Sequence, residues 1–390
     1  MSTDPLEAAL AAAGLAGAEP GETVGGGPLV VPEPAADEEP PAPPARWPDG
    51  AATGVGSLPG TDPKEAAATV VGELPLLPHL PELPARGVGA DMIGRTAGLL
   101  VDIAVEVVPS GYRVTARPGK DHRRAVDLLR GDLDAFDAAC EPARPGWVKV
   151  QAAGPWTLAA GVELHNGHRV LTDAGAVREF TASLLEGLRA HVAEVATRTG
   201  AQVLVQLDEP TLPAVLAGTL PTPSGYGTVA AVGRNEAQDA LRELVSGLGV
   251  PVVVHCCADR PPVRLLAGIG AAGIGIDATV PAFRGDTAEA AALDALGETW
   301  DAGTPLMLGL VPAREPATRP QLRDLARPAF DLADRLGFDR SRLGALAVPT
   351  PTCGLAGAAP DWARRAMALV RDLGKAFVDP PEDWQAPLAR

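Results

Sequence analysis

In the stretch VVVHCCAD, residues 252–259, three β-branched residues run straight into His255, Cys256 and Cys257. Such residues favour strands, and successive strand side chains point to opposite faces. His255 and Cys257 therefore share one face, while Cys256 takes the other. An imidazole and a thiol side by side are the beginning of a metal site, because zinc prefers tetrahedral sets of Cys, His and carboxylate ligands. The alternative is two small buried thiols and a hydrogen-bonded histidine. The remaining cysteines, Cys140 and Cys353, form no local Cys-x-x-Cys with this pair and no disulfide framework. Further ligands must come from distant parts of the chain.

Other chemically capable residues also sit where apolar runs end. ATGVGSLP ends near Ser57, QVLVQLDEP in Asp208 and Glu209, GIGIDATV near Asp277, and LGALAVPTPTC in Cys353. The pair Asp208-Glu209 stands just before Pro210, where a carboxylate can hold a ligand's ammonium group or cap the following helix. The glycine after Cys353 can let backbone approach a ligand, or merely turn the chain.

The elements positioning these residues alternate strand and helix. Besides the runs above, GWVKVQAAGP, PVVVHCCA and PLMLGLVP read as strands. Helical patterns lie between them, in AGAVREFTASLLEGLRAHVAEVATRTG, NEAQDALRELVSGLG, RPQLRDLARPAFDLADRLG and APDWARRAMALVRDLGKAF. Several end at glycine, a usual helix stop. This alternation implies a parallel sheet with helices outside. Seven strands are clear, and the Pro-rich region 74–105 is irregular, with a β-hairpin following at VEVVPSGYRVTAR. We expect an α/β fold, a (β/α)8 TIM barrel rather than an open doubly wound sheet. Polar residues at strand ends would then meet at one mouth.

The barrel is expected over residues 47–380. A disordered acidic Pro/Gly-rich tail is expected over 1–46, and a short C-terminal tail over 381–390. The net charge of −16 disfavours nucleic acid and anionic membrane surfaces as partners. No basic leader with an apolar core opens the chain, and no apolar run approaches the roughly 20 residues of a membrane span. A cytoplasmic protein with reduced thiols is expected. Arg86, Arg95 and Lys149 are read as basic residues near the mouth, where they would either grip an anionic ligand or simply be solvated.

Taken in order, VGSLPGT, GPWTLA (154–159), QLDEPTLP (206–213), HCC (255–257) and CGL (353–355) resemble the C-terminal catalytic barrel of cobalamin-independent methionine synthases over about residues 51–378. The resemblance implies a Zn²⁺ site of His255, Cys257, Asp277 and Cys353. It implies methyl transfer to the thiol of homocysteine, giving methionine, from 5-methyltetrahydrofolate or a similar donor. Ser57, Glu82, Asp208 and Glu209 are the implied substrate-binding residues, Glu82 being matched through its place upstream of Asp91-Met92. Two departures stand out. The family's acid ligand is usually Glu where this chain has Asp277, and its proton-donor histidine falls where VPAREP places Arg314, leaving no catalytic residue beyond the metal set. The chain is expected to be a single-barrel form without the family's N-terminal half, which makes a methylated corrinoid protein an alternative donor partner. A barrel that binds zinc or a thiol without turnover is a further alternative.

Overall fold

The computed structural model describes residues 46–390 except 223–224, 286–287, 382–383 and 385–390, so the tail expected over 1–46 falls outside the described residues apart from Arg46. Six parallel strands form one sheet in the order β3-β5-β6-β7-β8-β9. They are β3 Trp147–Ala153, β5 Gln202–Asp208, β6 Val252–Cys256, β7 Gly273–Asp277, β8 Leu306–Val311 and β9 Ala347–Pro351. Two extended segments close the gap between β9 and β3. Thr53 N donates to Pro349 O at 3.2 Å, joining residues 51–58 to β9. Leu58 N donates to Glu82 O at 2.8 Å and Glu82 N to Gly56 O at 3.1 Å, joining that segment to residues 78–82. Lys149 N in turn donates to Pro78 O at 2.8 Å and Leu80 N to Lys149 O at 2.8 Å. The result is the expected TIM barrel, with two of its eight staves irregular.

Both irregularities have a local cause. ATGVGSLP, read as a regular strand, makes only an isolated bridge between Ser57 and Glu82, and its two glycines carry no side chain to pack on a pleated surface. The second stave contains Pro75, Pro78 and Pro81, each lacking an N–H for the ladder. The hairpin expected after it is present, β1 Ala104–Val108 pairing antiparallel with β2 Gly111–Thr115. A short β4, Val162–Glu163, extends it, and Arg113 binds Glu163 Oε2 at 2.7 Å across that edge.

Strand alternation sorts the interior into two zones. One face of each stave packs on the helices: Val148, Val150, Val203, Val205, Leu207, Val252, Val254 and Cys256 belong to the large outer core. The other face fills the barrel, and there Trp47, Leu77, Trp147, Leu204, Val253, Met307 and Val348 form a separate apolar plug. Four of the long outer helices, Ala174–Thr199, Arg234–Gly247, Leu322–Leu336 and Pro360–Val378, fall on the four periodic segments of the sequence, and a fifth, Lys120–Ala143, lies where none was expected. Gly200 and Gly337 end two of them in the left-handed conformation, with φ of 67° and 76°. Trp384 is buried and edge-on to Phe330, centroids 5.4 Å apart.

Close approach fixes one glycine. A methyl group on Gly187, inside the helix Ala174–Thr199, would run into the Leu99 carbonyl oxygen. Ala gains about 1 kcal/mol of helix propensity over Gly, but overpacking of rigid backbone costs about 1–3 kcal/mol. Because the obstacle is backbone, the upper end of that cost applies, and Gly187→Ala is expected to lower stability by about 2 kcal/mol in urea unfolding. A neutral or stabilising effect would show that this helix can shift outward freely.

Candidate active site

The mouth of the barrel collects the polar residues singled out in the sequence. His255 sits on β6 directly opposite Asp208 on β5, and its Nδ1 lies 2.8 Å from Asp208 Oδ1. A carboxylate can only accept, so Nδ1 carries a proton, and in the neutral ring Nε2 keeps its lone pair for another partner. Cys257 follows the last residue of β6, with its Sγ 3.4 Å from Cys353 Sγ. That is too long for a disulfide bond and near the separation of about 3.8 Å between two sulfurs on one tetrahedral zinc with bonds of about 2.3 Å. Cys256 is fully buried in the outer core, on the opposite side of the strand.

The two facing thiols share a proton unequally. The S–H···S contact between them draws the Cys353 thiol down, while the same contact and burial push Cys257 up. The pair thus gives up its first proton more readily than an isolated thiol would, and the second is held between the two sulfurs.

Ser57 approaches the same region from the first stave. Its carbonyl accepts from Leu355 N at 2.8 Å, and a side chain at Gly354 would collide with Ser57 Oγ. Glycine after Cys353 is what lets the two loops touch. Glu82 lies beside Ser57 on the second stave, only 8% exposed. Burial raises its carboxyl to about 7 against the opposing pull of Arg95, whose Nε is 3.8 Å from Glu82 Oε1.

Asp277 ends β7 in a tight turn, its Oδ1 accepting from Thr279 N at 2.8 Å and Thr279 Oγ1 at 2.6 Å. Burial raises this carboxyl. Among the described residues no three His, Cys, Asp or Glu side chains already converge as one metal-binding group. The structure thus joins Cys257 to Cys353 and His255 to Asp208, and leaves Asp277 folded on its own turn. Arg314 is exposed after β8, with its guanidinium near Gly357 of the loop that follows Cys353.

Glu209 turns the other way. It is fully buried, and its carboxylate accepts from Trp156 N, Thr157 N and Thr157 Oγ1 at 2.7–2.9 Å. It caps the preceding helix, Pro155–Gly161, rather than the following one, and takes the otherwise free N–H groups of Trp156 and Thr157, Pro155 having none.

The three basic residues expected around the mouth are not surface residues. Lys149 is completely buried inside the barrel and Arg95 is 4% exposed. Arg95 and Arg86 both donate to the buried Asp132, Arg86 at 2.7 Å. Lys149 Nζ donates to Gln206 Oε1 at 2.7 Å, Val55 O at 3.1 Å and Gln151 Oε1 at 3.3 Å. Gln206 Nε2 then donates to Asp208 Oδ1 at 2.8 Å. Sequence reasoning read Lys149 as a surface residue and missed Gln151 and Gln206, although WVKVQAA and VLVQLD place all three on the inward face with Asp208.

Comparison with known proteins now bears on this geometry. The family described as cobalamin-independent synthase, catalytic domain, matches residues 50–376. The chain belongs to this family. Among solved structures, a B12-independent methionine synthase from Shewanella sp., in complex with selenomethionine, shares 12% identity at a TM-score of 0.53, covering 85% of this chain and 98% of that one. A putative vitamin-B12 independent methionine synthase from Listeria monocytogenes shares 12% identity at a TM-score of 0.50, covering 85% and 99%. At such identity these two neighbours bear on the fold alone. A search of curated proteins gave no match. Among the described residues no helix is long and apolar enough to cross a membrane.

Within this synthase-family barrel, the four cysteines should react very differently. Cys140 and Cys256 are pushed up to about 12 by burial. Iodoacetamide on the metal-free native protein is expected to modify Cys353 first, with a rate half-maximal below the pH of an ordinary thiol. Cys257→Ala should move that midpoint toward about 8.5, the value of an unperturbed thiol. An unchanged midpoint by mass spectrometry would mean that Cys257 does not hold the thiolate.

Proposed function

We propose that the protein is a zinc-dependent methyltransferase of the methionine-synthase type, moving a methyl group onto the thiol of homocysteine. The observation that carries this reading is the Cys257–Cys353 pair, sulfurs 3.4 Å apart, beside a histidine whose Nδ1 is engaged by Asp208. Metal-bound histidines are commonly oriented in this way by a carboxylate. His255 through Nε2, Cys257 and Cys353 would hold the ion, and Asp277 has Oδ2 left for the fourth place. When bound, zinc lowers the pKa of a thiol ligand and fixes its sulfur as a nucleophile at neutral pH.

The chain's own residues supply the remaining functions. Asp208 and Glu82 offer carboxylates to an amino group, and Ser57 offers a hydroxyl to the carboxylate end of the same amino acid. Glu209 acts indirectly, by securing the helix at the end of β3. A thiolate sulfur attacking a methyl group forms an S–C bond as the bond from methyl to donor breaks, and the donor keeps the electron pair. A tertiary-amine donor such as 5-methyltetrahydrofolate then requires a proton at its nitrogen. Arg314 cannot give one near neutrality, so that proton comes from solvent.

The same residue favours a second reading in which the donor is a methylated corrinoid. There the departing cobalt centre takes the electron pair without protonation. Homocysteine with methyltetrahydrofolate or with methylcobalamin separates the two readings, and transfer from neither would overturn both.

Zinc analysis should find about one equivalent in the wild type and in Cys256→Ala, and none in Cys257→Ala. Equal zinc in all three would remove the proposed site. Because Glu82 titrates near 7 and only its ionised form attracts an ammonium group, kcat/KM for homocysteine should rise several-fold between pH 6 and 8. Glu82→Gln should flatten that rise, and an identical slope would exclude Glu82 from amine binding.

A further inference from the structure

The barrel interior holds a cation that neither the metal set nor the methyl acceptor accounts for. Lys149 is fully buried, and it has one acceptor for each of its three N–H groups: Gln206 Oε1, Gln151 Oε1 and the Val55 carbonyl. Gln151 is itself fixed, because its Nε2 donates to the Leu80 carbonyl. Gln206 is gripped at both ends. Its oxygen accepts from the ammonium, and its nitrogen donates to Val55 O and Asp208 Oδ1, each at 2.8 Å. An amide between a cation and a carboxylate has only one satisfactory orientation, since the flipped form would point its oxygen at Asp208 and its N–H groups at the ammonium.

Asp208 Oδ1 thereby receives two donors, Gln206 Nε2 and His255 Nδ1. Asp208 Oδ2 has no hydrogen-bond partner among the described residues and is not one of the sealed, unpartnered atoms.

We propose that Lys149 is a positioning residue that acts through Gln206 to pin Asp208 by one oxygen, leaving the other to bind the amino group of an amino-acid ligand at the mouth. This rests on the amino-acid-binding part of the proposed function and adds the element that sets its selectivity. Burial, opposed by the Asp208 and Glu82 carboxylates, draws Lys149 down to about 8, so it remains largely an ammonium at neutral pH. A fully buried, fully paired cation has no route to a soluble donor. Its influence on the mouth runs through the side chains it holds.

The test compares methionine with 4-(methylthio)butanoate, its analogue without the amino group. Both carry the same thioether, so any contribution from a metal is common to the two and cancels in the comparison. By calorimetry, Lys149→Met should weaken methionine at least tenfold and change the analogue less than twofold. In an Asp208→Asn background, Lys149→Met should add nothing. Equal weakening of both ligands, or additive effects with Asp208→Asn, would reduce Lys149 to a purely structural role and overturn the proposal.

A measurement without ligand keeps this separate from the functional reading. The Nδ1–H of His255 held by Asp208 should give a downfield, slowly exchanging resonance in ¹⁵N-histidine spectra, assigned through its loss in His255→Asn. Lys149→Met and Gln206→Met should both shift or broaden it. A resonance altered by Gln206→Met but untouched by Lys149→Met would overturn the relay. A wild-type protein that binds both ligands equally while both variants move the resonance would overturn the amino-acid reading and leave the relay standing.

Discussion

A lysine ammonium sealed inside a barrel is the constraint on which the rest of the mouth depends. A buried ion costs several kcal/mol unless its donors are all paired, so Lys149 obliges its neighbours to present acceptors. Val55, Gln151 and Gln206 do so, and their positions on the first, third and next staves tie the irregular start of the barrel to its regular part. Above this tier the polarity is passed on as Gln206 to Asp208 to His255. Below it the apolar plug around Trp147, Leu204, Val253 and Met307 fills the barrel. A site built at the C-terminal ends of strands thus stands on a polar tier that in turn stands on a dry one.

Strand alternation separates neighbouring residues of similar chemistry. Asp208 and Glu209 are adjacent carboxylates, but one faces the barrel and meets His255 while the other faces the helices and caps Pro155–Gly161. Cys256 and Cys257 divide in the same way, one into the outer core and one opposite Cys353. In each pair the outward residue stabilises the scaffold and the inward one remains free for ligand chemistry. A one-residue slip of either strand would exchange the two roles, so the register that buries Val252, Val254, Val203 and Val205 also aims the site.

Much of this was legible in the sequence because period-2 alternation is strong in VVVHCC and VLVQLD. The barrel, the hairpin and four of the long helices followed from the same patterns, while the helix Lys120–Ala143 did not. What escaped has identifiable causes. The first two staves carry glycines and prolines in place of a regular ladder, so only their hydrogen bonds to β9 and β3 reveal them. Lys149 was placed at the surface because lysine is rarely buried, although its alternation with Val148 and Val150 put it inside. The direction of Glu209's cap could not be seen, since it depends on a helix more than fifty residues earlier in the chain.

Asp277 shows how one methylene changes the demands on a site. A shorter acid loses roughly 1.5 Å of reach relative to Glu, and here Thr279 holds one of its oxygens in a turn. The remaining oxygen can serve only as a single-point ligand, so the geometry of any bound cation must be set mainly by Cys257, Cys353 and His255. Of these, His255 is oriented by Asp208, and the two cysteines lie on segments joined to each other through their sulfurs. In the proposed site, precision would therefore come from the β5–β6 pairing and from the loop that brings Gly354 against Ser57. Asp277 is left to adjust charge, and its raised carboxyl would ionise most fully only when a cation arrives.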